Sequence, residues 1–238
     1  TREEPSTGRV TACARYRTRI VSEPRDDAPA EPVPSGYRGL VPVEIVAVLL
    51  LAVVPLPEAV PVALPLVAIA SLSRWIRRRS WGEVARGGLA NMVVGALAGT
   101  LALGIALIAG TPAIEGLSDR AIEWSSYPIV RGNFEVLAIV ALIVAATAIA
   151  TELALRGWIV ERMLELSPGP AILPVLAGAL AEALITPGDL VSRLGAGLFG
   201  AGLGWMYVAG GRSVLAPICA RLVFQLGALL LESMRLIG

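Results

Sequence analysis

The sequence predicts an all-α fold, a polytopic transmembrane bundle of about seven helices. Three observations carry this. Of the 238 residues, 55% are hydrophobic and only 16% charged, whereas soluble domains run at about 25% charged. Mean hydropathy is +0.72, and aromatics are only 5%, so the apolar mass is Leu, Ala, Val and Ile. The apolar residues also fall in long runs punctuated by Pro and Gly, the layout of membrane helices. Too few charges remain to cover a soluble globule, which excludes a cytosolic enzyme, a disordered chain and a coiled coil.

Residues 1–40 are polar and rich in Arg, Pro, Asp and Glu; they read as a disordered cytoplasmic tail. The tail lacks the charged-then-apolar layout of a signal peptide. The composition flips at Val41, and residues 41–238 form the transmembrane domain. Val43–Val54 and Val60–Leu72 are apolar runs separated by Pro55-Leu56-Pro57-Glu58, which favours two short helices over one kinked element. Arg74, Arg77, Arg78 and Arg79 follow, flanked by Trp75 and Trp81. This is a positive-inside marker with interfacial anchors.

Gly88–Ile108 is a span rich in small residues, and residues 110–132 read as a mixed loop. Phe134–Leu155 is the next span, its pattern continuing to Leu166, where Ser167-Pro168-Gly169-Pro170 stops it. Ala171–Thr186, Leu194–Ala209 and Val214–Leu236 complete the set. Alternate crossings place the tail, Arg156, Arg162 and Arg212 on the cytoplasmic side and the 110–132 loop outside.

Charge excludes one partner class. Twenty basic and nineteen acidic residues give +1, so no nucleic-acid surface is implied. Every basic residue is Arg. Cys13 and Cys219 lie in unlike contexts, which argues against a disulfide or a metal site. The absence of histidine matters most: it removes the ordinary zinc sites, the Ser-His-Asp triad and an imidazole base. No cofactor and no metal are expected, and the expected partners are membrane lipid and a membrane-embedded peptide or protein.

Ionisable residues inside membrane helices are rare and mark functional sites by default. Glu152 and Arg156 are four apart, acid first, the favourable order for an intrahelical pair. That pair has a bland reading too, mutual neutralisation near a helix end with Arg156 reaching the interface. Glu182 and Arg221 have no opposite charge nearby in sequence, which suggests an interhelical pair. Gln225 shares a face with Arg221.

The segment Ala150-Thr151-Glu152-Leu153-Ala154-Leu155-Arg156-Gly157-Trp158 resembles the Glu-Glu-x-x-x-Arg segment of the CPBP intramembrane proteases, which include the type II CAAX prenyl endopeptidases and bacteriocin-processing proteins. Leu176–Ile185 is similar to that family's Phe-x-x-x-His helix. Gly195–Tyr207 and Gly211-Arg212-Ser213-Val214-Leu215-Ala216-Pro217-Ile218 resemble its Gly-rich helix, turn and Ala-Pro-Ile start of the last His-x-x-x-Asn helix. The resemblance covers about residues 134–232 and implies a bacterial plasma-membrane protein of the CAAX-protease-like type.

In the family the first Glu activates water, and two histidines and an Asn complete the site. Matched residue by residue, that Glu falls on Thr151, the histidines on Glu182 and Arg221, the Asn on Gln225 and the Phe on Gly178. Only the second Glu and the Arg persist, as Glu152 and Arg156. Thr151 cannot serve as a general base near neutrality, and Arg221 is a fixed cation that cannot shuttle protons. Glu182 could accept a proton, but beside Arg221 it is a weaker base.

The expectation is a pseudoenzyme that binds or scaffolds a membrane partner, its catalytic contacts exchanged for a Glu182–Arg221 bridge with Thr151 and Gln225 as nearby hydrogen-bonding groups. An active endopeptidase using Glu152 and Glu182 is the alternative; positions 151 and 152 point about 100° apart on a helix, so Glu152 would need to rotate to reach the site. A small transporter or membrane assembly subunit is a second alternative, for which inverted repeats are missing.

Overall fold

The computed structural model describes residues 39–53, 62–118, 127–166 and 169–237. The expected disordered tail up to Arg38, the Pro55–Glu58 breaker and Cys13 lie outside these residues. Among the described residues all regular structure is helical. The helices are α1 (Leu40–Val53), α2 (Ala63–Ile76), α3 (Leu89–Ile105), α4 (Thr111–Ser118), α5 (Phe134–Ala154), α6 (Glu161–Leu166), α7 (Ile172–Ile185), α8 (Leu190–Ala209) and α9 (Leu215–Ser233). A π-helical turn at Ala106–Gly110 joins α3 to α4, and another at Leu155–Val160 joins α5 to α6. The nine segments therefore make seven continuous rods, the number expected.

Three stretches, Leu89–Ala113, Phe134–Leu166 and Leu215–Ser233, are long and apolar enough to cross a membrane. Their outward faces carry Leu97, Leu101, Leu142 and other exposed aliphatic side chains, the surface a bilayer covers.

Local chemistry sets the boundaries. Asn133 caps α5 by accepting from the Val136 N–H at 3.3 Å, and Asp189 caps α8 by accepting from the Ser192 N–H at 2.8 Å. The Asp189 cap starts α8 at Leu190, one turn before the apolar run that marks it in sequence. Gly210 and Gly211 end α8, Gly211 at φ 72°. The first half of the expected 110–132 loop is instead helical to Ser118. Pro112 has no N–H to donate back along the rod, and the wider π turn before it lets the helix continue.

The core joins four rods. Val48 of α1, Leu66 and Ala70 of α2, Ala154, Leu155, Trp158 and Ile159 of the α5 rod and Ala181 of α7 pack as one apolar cluster. On the other flank, α3 lies directly against α9. A Cβ at Gly95 would sit 2.2 Å from the Ala216 carbonyl oxygen, and one at Gly99 2.3 Å from that of Ala220. This small-xxx-small pair of faces brings the two backbones into contact. It sets the depth of α9, and with it that of Arg221.

One end of the bundle gathers the arginines. Arg74 is buried, donating from Nη1 to the Gly157 carbonyl at 3.2 Å and from Nη2 to that of Ser80, with its guanidinium 4.8 Å from the Trp81 ring centroid. Arg77 pairs with Glu44 at 2.9 Å, and Glu165 receives Arg79 at 3.0 Å and Arg162 at 2.6 Å. The Trp158 indole donates to Ser73 at 3.0 Å, and the Ser73 hydroxyl donates to Glu44 at 2.9 Å. The basic cluster is thus built into the ends of α1, α2 and α6. Trp75 is 76% exposed, as an interfacial anchor should be, whereas Trp81 lies beneath Arg74. At the opposite end Arg131 pairs with Glu232 at 2.9 Å, and the Gly132 N–H donates to the Ser233 carbonyl at 2.9 Å.

Replacing Gly99 by Ala forces a methyl into the Ala220 backbone. It should lower unfolding stability in detergent by roughly 1–3 kcal/mol, the usual range for overpacking. Gly104→Ala, on the same helix with nothing within 4 Å of its added methyl, should leave the melting temperature unchanged or slightly raised. Equal effects at the two positions would remove the tight α3–α9 contact from the account.

Candidate functional site

Four charged side chains meet inside the bundle. Glu152 and Arg156 are fully buried, Glu182 is 3% exposed and Arg221 7%. Glu152 comes from the last turn of α5, Arg156 from the π turn after it, Glu182 from α7 and Arg221 from α9. Arg156 Nη1 donates to Glu152 Oε1 at 3.1 Å, and Arg156 Nη2 to Glu182 Oε2 at 2.6 Å. Arg221 Nε donates to Glu152 Oε1, and its Nη2 to Glu182 Oε1. Each carboxylate therefore holds both guanidinium groups. The four charges alternate around a closed ring whose sum is zero.

Neutrality explains why such a cluster persists in an apolar bundle. A lone carboxylate or guanidinium among membrane helices is costly, and pairing with further hydrogen bonds offsets the penalty. Helix α8 supplies the remaining acceptor, the Gly200 carbonyl, 2.7 Å from Arg156 Nη2. A Cβ at Gly200 would lie 2.5 Å from Glu182 Oε2, so only glycine lets α8 close on the ring. Phe199 covers Arg221 with its ring centroid 5.5 Å from the guanidinium carbon, and Phe224 stacks on Phe199 at 4.8 Å.

The sequence expectations are met unevenly. Glu182 and Arg221 do pair. Glu152 and Arg156 are not a separate couple near an interface; they complete the same ring. Arg156 does not reach the Arg-rich end, because its guanidinium is fully buried between three acceptors, while Arg162 and Arg212 do lie there with Glu165 and Glu161. Glu152 needs no rotation to face the centre.

Thr151 does not join the ring: its hydroxyl donates to the Thr147 carbonyl at 2.8 Å within α5, a common habit of helical threonine. Gln225 lies one turn beyond Arg221, yet its Oε1 is buried without a donor among the described residues, so it adds no bond to the ring either. Gly200, Phe199 and the π turn at Leu155–Val160 were not singled out from sequence. The glycine spacing in α8 is the signal that could have found Gly200. Among the described residues no group of His, Cys, Asp and Glu could hold a metal ion, and Cys219 is a free thiol.

Residues 133–227 match the family model described as Type II CAAX prenyl endopeptidase Rce1-like. This stretch is similar to the Rce1-like family. It runs from the α5 cap through most of α9, so every member of the ring, with Thr151 and Gln225, lies within the matched stretch. No curated protein and no solved structure matches the chain.

Both inner carboxylates are engaged by the ring. Glu182 has both oxygens bound to guanidinium groups, whereas Glu152 shares Oε1 between two and keeps Oε2 buried without a donor among the described residues. A general base needs a carboxylate free to take a proton near neutrality.

Removing one cation strands a buried charge. Arg221→Gln should destabilise the domain by about 3–5 kcal/mol, the usual loss for breaking a buried ion pair on one side. Arg221→Lys should recover only part of this, because a single ammonium cannot reproduce the two-pronged bridge between Glu152 and Glu182. Thermal or denaturant unfolding in detergent reads both, and a lysine variant as stable as the parent would contradict the bridging geometry.

Proposed function

We propose that the chain is a catalytically degenerate relative of the Rce1-like endopeptidases, a membrane protein that binds or scaffolds a membrane-embedded partner without hydrolysing it. The observation that carries this reading is the closed ring. The positions matched to the family's two histidines hold Glu182 and Arg221, and these are bound to each other and to the Glu152–Arg156 pair. Thr151, at the position of the water-activating glutamate, has its hydroxyl committed to its own helix. What the fold retains is a membrane bundle held together at its centre, suited to presenting a surface to a peptide or lipid-anchored partner.

The Arg-rich end faces the cytoplasm in this reading, by the excess of arginine in its loops. The same reading expects the N-terminal segment on that side of a bacterial plasma membrane.

The test is turnover. Purified chain in lipid should leave a prenylated CAAX peptide and a membrane-proximal peptide intact. Glu152→Gln and Glu182→Gln should produce no change in that background. Cleavage that disappears with either substitution would overturn the reading in favour of an active protease using the two carboxylates.

A further inference from the structure

We infer that the turn between α2 and α3 is a binding site for the phosphate of an anionic phospholipid, gripped by Arg78 and Arg86. The inference begins with charge. Between residues 74 and 86 the chain carries five arginines against one acid, Glu83. The other acids at this end are already engaged: Glu44 by Arg77 and Ser73, Glu161 by Tyr207 and Arg212, Glu165 by Arg79 and Arg162. Arg78 and Arg86 are exposed and have no acidic partner among the described residues. At the opposite end Arg131 pairs with Glu232, while Arg193 and Arg235 are exposed on separate segments, the first turn of α8 and the turn after α9. The α2–α3 turn thus carries two of the four exposed arginines that lack an acidic partner among the described residues, and it alone brings two of them into one loop.

That loop is fixed. Arg78 sits at φ 54°, its N–H donating to the Trp75 carbonyl at 2.9 Å, and the Arg79 N–H donates to the Arg74 carbonyl at 2.9 Å. On the far side, the Val214 N–H donates to the Val84 carbonyl at 2.8 Å, which ties the loop to the α8–α9 turn. Gly87, at φ 158°, lies so close to Ser213 and Leu215 that a Cβ would be 2.8 Å from the Ser213 hydroxyl. Both arginines therefore project from a turn anchored at each end, so little order has to be gained on binding.

The surroundings select a lipid over a free anion. Leu72, Trp75 and Ile76 of α2 are 55%, 76% and 48% exposed, and Leu89 at the start of α3 is 75% exposed. These side chains line the rim where the helices leave the bilayer, with Trp at the depth of the headgroups. An anionic phospholipid meets both features at once, its phosphate against the guanidinium groups and its acyl chain against the apolar rim. Inorganic phosphate would meet only the first.

The experiment uses the full chain in nanodiscs of phosphatidylcholine, alone or mixed with phosphatidylglycerol, with an Arg78→Gln, Arg86→Gln double variant alongside. The parent should melt higher in the mixed discs and retain phosphatidylglycerol in native mass spectrometry. The double variant should match the parent in pure phosphatidylcholine and lose the phosphatidylglycerol gain. Its preference for the anionic lipid should fall roughly fivefold per arginine, on the order of 25-fold for the pair. Adding inorganic phosphate to the parent in pure phosphatidylcholine should change nothing. A parent indifferent to phosphatidylglycerol, a double variant that keeps the full gain, or protection by free phosphate would each overturn the inference. None of these outcomes depends on whether the chain hydrolyses a peptide.

Discussion

A charge inside an apolar bundle must be answered by an opposite charge, and this protein meets that demand with a ring of two carboxylates and two guanidinium groups. The demand is severe because arginine cannot shed its proton in practice. Once Arg221 occupies an inner position of α9, some carboxylate has to reach it. Glu182 does so from α7 and Glu152 from α5, while Arg156 balances the second acid. The ring need not add net stability over well-packed apolar residues. What it constrains is geometry: four groups on three rods, with the Gly200 carbonyl from a fourth, meet in one arrangement of the helices, with Glu152 Oε2 and Arg156 Nε left without a partner among the described residues.

The rest of the fold is arranged so that this meeting happens. Small residues let the rods approach: Gly95 and Gly99 seat α3 on Ala216 and Ala220, one residue from Arg221, and Gly200 lets α8 close over Glu182. The π turn at Leu155–Val160 carries Arg156 in a fully buried stretch between α5 and α6, and π-helical insertions often accompany functional positions. At the Arg-rich end a second set of ion pairs, centred on Glu44 and Glu165, ties α1, α2 and α6 together. The helix ends and the bundle centre are thus held by polar contacts, with small-residue packing between them.

Much of this could be read from the chain before any coordinates. The seven rods follow from apolar runs broken at Pro and Gly, because membrane helices show their length directly in composition. The pairing of Glu182 with Arg221 follows from the cost of leaving either alone. What escaped was set by three-dimensional closure. The union of two expected pairs into one ring depends on how α5, α7 and α9 rotate against each other, which no periodicity encodes when the helices are apolar on every face. The continuation of α3 through Pro112 escaped because proline ordinarily signals a stop, and a π turn is a tertiary accommodation. The neighbours of Arg156 in sequence suit an interface and point to a helix end. Its burial depends on acceptors from α7 and α8, far away in the chain.

The chemistry follows from the same constraint. In the proposed function, carboxylates that hold guanidinium groups in place are poorer bases toward water, so the arrangement that keeps the bundle together also disfavours the inner acids as bases. The most direct measurement is a double-mutant cycle at the ring, comparing unfolding of the parent with Glu182→Gln, Arg221→Gln and the two combined. The ring requires strong favourable coupling, on the order of 2 kcal/mol or more, with the double variant far less damaged than the two single losses together. Losses that add to within about 0.5 kcal/mol would mean that the two groups do not hold each other, and the ring would not be what organises this protein.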